Sequence, residues 1–81
     1  MRFYWFPENV AHVACHGLTP SDVEAIFEAK DLRVKQERPG RWMAEGTVAG
    51  RTFRVVYGCP GPDEIYVATA YRVHPTRRKT T

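Results

Sequence analysis

His16-Gly17-Leu18-Thr19-Pro20-Ser21-Asp22-Val23 is the stretch on which the fold turns. It reads as the end of one helix followed at once by the start of another. Gly17 suits the C′ position of a closing helix, and Leu18 can then fold back on Val13 in a Schellman-type closure. Thr19 is the expected N-cap of the second helix. Pro20 fits the first helical position, where its missing N–H costs nothing. Asp22 at N3 completes a variant capping box, and Leu18 can staple onto Val23. Upstream, Pro7 opens the first helix, and Val10, Val13 and Ala14 fall at i, i+3 and i+4 on one apolar stripe. Downstream, Val23, Ile26 and Phe27 form the stripe of the second. The pair is an αα-hairpin, preceded by Arg2 to Phe6, an aromatic run of high strand propensity.

After Asp31 the helical period gives way to alternation. Leu32 to Lys35 reads equally as strand or as connection. Pro39-Gly40 marks a turn, and Arg41 to Val48 alternates weakly. Ala49-Gly50 is a plausible two-residue hairpin loop, Thr52 to Tyr57 the next strand, Gly58 to Asp63 a turn, and Ile65 to Val73 the last strand. The expected fold class is α+β with the order β-α-α-β-β-β, two N-terminal helices packed on one face of an antiparallel sheet. Residues 1–75 form the one domain. Residues 76–81 form a basic tail, expected to be mobile because no apolar residue anchors it. Strand alternation puts Phe53, Val55 and Tyr57 on one face with Ile65, Val67 and Thr69, the expected floor of the core. Thr52, Arg54, Val56, Tyr66, Ala68, Ala70 and Arg72 fall on the other. A face part apolar, part basic and part aromatic can bind phosphate and stack a base, although most such faces are simply solvated.

The chain has 81 residues, near the lower limit for a domain that folds around a single core, and 43% of them are hydrophobic. There are 12 Lys and Arg against 9 Asp and Glu, and the excess is uneven. Residues 1–31 hold five acids and two bases, residues 32–81 ten bases and four acids. A polyanionic partner should therefore meet the C-terminal half. Cys15 and Cys59 make no disulfide framework, and Phe3 to Phe6 is too short for a leader or a membrane span. The expected setting is cytoplasmic, with reduced thiols.

His12, Cys15 and His16 lie within little more than one helical turn, a spacing that can hold zinc. The helix offers no full set of three or four ligands, so no metal is expected. His16 also suits a helix C-terminus, where imidazolium meets the negative end of the dipole. No GxSxG, glycine-rich phosphate loop or Cys-x-x-Cys appears. The remaining set, histidines with several arginines and a tyrosine, is compatible with RNA cleavage. RNA supplies its own nucleophile, the 2′-OH. A protein then need only place the phosphate, move protons and offset developing charge, with histidine suited to the proton and arginine to the charge. The same face without catalysis would be a module that binds RNA or a protein.

The run Trp5, Glu8-Asn9, His12, His16-Gly17-Leu18-Thr19 and Asp22-Val23-Glu24 resembles the BrnT family, RelE-like ribonuclease toxins of type II toxin–antitoxin pairs. Arg41 with Gly46, the Gly50-Arg51 hairpin and Thr69-Ala70 resemble the family's later blocks, so the likeness spans about residues 2–72. It implies a RelE-like fold, metal-independent mRNA cleavage with no cofactor, neutralisation by an antitoxin, and a homodimer or toxin–antitoxin hetero-oligomer. The residues of this chain assigned to that chemistry are His12 or His16 for proton transfer with Arg54 and Arg72 on phosphate. Arg41, Arg51, Tyr66, Arg77, Arg78 and Lys79 are the RNA-binding set. Two departures fall at the C-terminal end. The family's last strand ends Ser/Thr-Ala-Arg, and an acidic and basic segment with a tyrosine follows it, whereas residues 76–81 here hold no acid and no tyrosine. Here Tyr71 follows Thr69-Ala70, and Arg72 comes one place later.

Overall fold

In the computed structural model the described residues are 1–74. Strand β1 (Arg2–Tyr4) leads into helix α1 (Pro7–Ala14) and helix α2 (Pro20–Ile26). Strands β2 (Arg33–Arg38), β3 (Arg41–Val48), β4 (Arg51–Gly58) and β5 (Glu64–Arg72) follow. The helix boundaries obey the local chemistry. The Gly17 N–H donates to Ala14 O at 2.9 Å and the Leu18 N–H to Val13 O at 3.0 Å, the two bonds of a Schellman closure, with Gly17 at φ 78°. The Asp22 N–H donates to Thr19 Oγ1 at 3.2 Å, and the Thr19 N–H to Asp22 Oδ2 at 2.9 Å. Ala49 and Gly50 both take positive φ, as a type I′ hairpin turn requires.

The sheet has five strands in the order β1-β5-β4-β3-β2. It is mixed, which corrects the expectation of an antiparallel sheet of order β-α-α-β-β-β. β1 runs parallel to β5, with Phe3 beside Ile65, and only the remaining pairs are antiparallel. The additional strand is β2. All six of its residues are exposed, so no alternation of apolar and polar residues marks it, and only its pairing with β3 makes it a strand.

Val13 of α1 and Val23 and Ile26 of α2 are buried in one cluster with Ala44, Val55, Tyr57, Ile65, Val67 and Ala70 of the sheet. The side chain of Asn9 is the polar member of this interior. Its amide donates to Tyr4 O at 2.9 Å and Val67 O at 3.0 Å, while its Oδ1 accepts the Phe6 N–H at 2.7 Å. Trp5 Nε1 donates to Glu24 Oε2 at 2.9 Å and ties the chain after β1 to α2.

A register shift in β5 resets its faces. Tyr57 pairs with Val67, but Val56 pairs with Thr69, so Ala68 is the extra residue of a β-bulge. Beyond it the alternation is inverted. Ala70 joins the buried row Ala44–Val55–Ala70, and Thr69, expected in the floor, faces away from it. The next row, Gly46–Phe53–Arg72, puts Arg72 on the core side as well. The row Glu45–Arg54–Tyr71 lies on the outer side. Arg54 and Arg72, expected together on one face, are therefore on opposite faces, and Ala70 leaves the outer face with Arg72. The tail and its Arg77, Arg78 and Lys79 lie outside the described residues.

Candidate functional site

The helix–helix turn and the β3–β4 hairpin stand at the same end of the molecule and leave a cleft of about 340 Å³ between them. His16, placed there by the Schellman closure, lines it together with Asp22, Arg51, Phe53 and Arg72. Arg51 is held by the I′ turn, since it pairs with Val48 at the start of β4. Arg72 arrives through the bulge: without the extra residue at Ala68 its side chain would project from the outer face. Two arginines and a histidine thus line one cavity, with the Asp22 carboxylate engaged by the Thr19 N–H. Such a set can hold a phosphodiester and move a proton beside it.

Arg54 occupies a different setting. Its Nη2 lies 3.3 Å from Glu45 Oε1, and Arg33 Nη2 reaches Glu45 Oε2 at 3.6 Å. The Arg54 guanidinium is held above its ordinary pKa, first by the neighbouring Tyr71 hydroxyl and then, against the opposing effect of burial, by Glu45. Its Nε is buried with no hydrogen-bond partner among the described residues. Tyr71 in turn meets His16, the ring centroids 5.9 Å apart. A chain of contacts therefore runs from the cleft, His16 to Tyr71 to Arg54 to Glu45, from the core side of β5 to the outer side.

Of the other expected site residues, His12 is exposed on α1 and is not part of the cleft lining. Arg41 and Tyr66 line a separate groove at the opposite end of the sheet. Among the described residues, no three His, Cys, Asp or Glu side chains converge as metal ligands would, and no helix is long and apolar enough to cross a membrane.

Sequence reasoning passed over Tyr71, Asp22 and Glu45 as members of these sites. For Tyr71 a signal exists: it stands where the BrnT pattern that the sequence resembles has arginine. Asp22 is hidden by its capping role, and Glu45 by a weakly alternating strand. Neither a protein-family model, nor a curated protein, nor a solved structure matches this chain.

Proposed function

We propose that this chain is a BrnT-like toxin, a cytoplasmic endoribonuclease that cuts mRNA without a metal and is held inactive by an antitoxin. The observation that carries the proposal is the meeting of His16, Arg51 and Arg72 in one cleft. On this reading the fold is RelE-like, with both helices covering the core side of the sheet. Arg72 and Arg51 take the scissile phosphate. His16 accepts the proton of the 2′-OH as that oxygen bonds to phosphorus, and the bond to the 5′-oxygen breaks. The departing 5′-oxygen takes a proton from water in the open cleft, and a 2′,3′-cyclic phosphate remains on the upstream fragment.

Induced expression with mapping of RNA ends tests the proposal. Growth arrest with discrete breaks ending in cyclic phosphate is expected, and intact mRNA under full induction would refute it. A second reading, a non-cleaving RelE-fold module that binds RNA or a protein through a basic sheet face, is favoured by one observation. Arg54 is on the outer side, away from Arg72, and Glu45 already engages it.

A further inference from the structure

The outer face of the sheet carries Arg2, Arg33, Lys35, Arg38, Arg41 and Arg54, by the register of the paired strands. Against these six cations stand the carboxylates Glu45 and Glu64, with Glu37 at the β2 register shift beside Arg38. Glu45 is engaged by Arg33 and Arg54, and Glu64 accepts the Tyr4 hydroxyl at 2.9 Å. None of the outer-face residues named here is buried.

At one end of this face three aromatic rings adjoin. Tyr4 and Phe6 are stacked at 6.3 Å, and Phe6 and Tyr66 lie 6.1 Å apart. Phe6 is 48% exposed and Tyr66 36%. Phe6 is the N-cap residue of α1, a position that favours Ser, Thr, Asp or Asn, and its side chain makes no capping hydrogen bond. Neither helix capping nor the core accounts for an exposed phenyl ring there. Beside Tyr66 a groove of about 280 Å³ leads to Arg41. Gly40, Gly58, Cys59, Pro60 and Ala68 complete its lining.

We propose that this groove is a base-stacking subsite for single-stranded RNA, an inference that rests on the RNA-directed reading above. An unpaired base lies on the Tyr66 ring with Phe6 as its neighbour, and the adjoining phosphate meets Arg41. Stacking on an aromatic face with a cation on the backbone is how single strands are held without regard to sequence. The charge of the face selects a polyanion over an apolar peptide. Arg41 and Val48 are the two ends of β3, so the subsite stands about 23 Å from the cleft at 3.3 Å per residue. It therefore acts on binding and leaves the chemical step alone.

The test uses the whole chain, fluorescence anisotropy with a labelled single-stranded oligouridylate, and inorganic polyphosphate as a base-free control. Tyr66→Ala and Phe6→Ala should each weaken oligouridylate binding about tenfold, and Tyr66→Phe should leave it unchanged. Polyphosphate binding should be insensitive to all three. Equal affinity in wild type and Tyr66→Ala, or an equal loss for polyphosphate, overturns the subsite while the RNA reading stands. A wild-type chain that binds no oligouridylate at low salt overturns both. Self-association of the RNA-free chain that Phe6→Ala abolishes would make the patch an interface between copies, and would overturn the subsite too.

Discussion

The Asn9 amide, on α1, donates to the backbone carbonyl of Val67 at 3.0 Å, joining the first helix to the centre of β5. The same side chain serves Tyr4 O and the Phe6 N–H, so one residue satisfies backbone groups from the β1–α1 junction and β5. It is 1% exposed, and water cannot take its place. Asn9→Ala should lower the unfolding free energy by about 3 kcal/mol, because buried groups are left without partners. Asn9→Asp should be at least as damaging at neutral pH, since a carboxylate cannot donate to two carbonyls. Urea denaturation measures both, and a loss under about 1 kcal/mol would contradict this account.

Gly46 marks how close the α2 end comes to β3. A Cβ added there would lie 2.9 Å from Ala29 Cβ and 3.0 Å from Ile26 O. The second contact is to backbone, which cannot rotate away. Gly46→Ala should therefore destabilise by about 1–3 kcal/mol through overpacking. Gly17→Ala would meet no atom within 4 Å, but it would put a side chain at φ 78°. Comparing the two separates steric from conformational cost.

The elements visible in the sequence are those whose signals are local. Gly17, Thr19, Pro20 and Asp22 fix the helix ends by hydrogen bonds within a few residues, and Ala49-Gly50 fixes its turn in the same way. Two features depend on partners far along the chain. β2 is a strand by its pairing with β3, because Arg33 to Arg38 has no buried side to pattern it. The Ala68 bulge is visible only in the register of β4 against β5. That one inserted residue places Arg72 in the lining of the cleft that His16 also lines, and separates it from Arg54. A weak trace lies in the sequence, since the apolar spacing changes from two between Ile65 and Val67 to three between Val67 and Ala70.

Asp31 gives a pH dependence. Its carboxylate accepts the Thr47 hydroxyl at 2.6 Å and the Thr47 N–H at 2.9 Å, and these bonds, the hydroxyl first, hold its pKa below the usual aspartate range. A carboxyl whose folded pKa is depressed stabilises the fold above its unfolded pKa, and that contribution is lost as pH falls through the folded value. The stability advantage of wild type over Asp31→Asn should therefore be present at neutral pH and shrink below the ordinary aspartate range. An advantage that grew on acidification would contradict the hydrogen-bonded assignment.

Glu45 restrains two of the outer-face cations, Arg33 and Arg54. Glu45→Gln removes one negative charge and frees both guanidinium groups for a polyanion. If RNA tracks this face, the substitution should tighten oligouridylate binding several-fold at low salt. The slope of log affinity on log salt should steepen, by up to about one phosphate contact. Unchanged affinity and slope would mean that RNA does not reach this part of the sheet.

If the chain cuts RNA as proposed, the cleavage rate separates the cleft from the outer face. His16 and Arg72 line the cleft, whereas Arg54 stands on the other side of the sheet and is linked to it through Tyr71. Arg72→Ala should lower the cleavage rate by about 10²-fold, because charge developing on phosphate loses its partner in the transition state. His16→Ala should cost on the order of 10²–10⁴-fold if its imidazole takes the 2′-OH proton. His12→Ala should change the rate little, since that side chain is exposed and outside the cleft lining. Arg54→Ala should act chiefly on RNA affinity, raising KM more than it lowers kcat, with a smaller effect on rate through the loss of Tyr71's neighbour. Circular dichroism of each variant checks that it is folded, and single-turnover kinetics on a defined RNA separates rate from affinity. Full cleavage by the His16→Ala, Arg72→Ala double variant would remove the cleft as the catalytic site. A rate collapse in Arg54→Ala equal to that of Arg72→Ala would place the scissile phosphate on the outer side of β5.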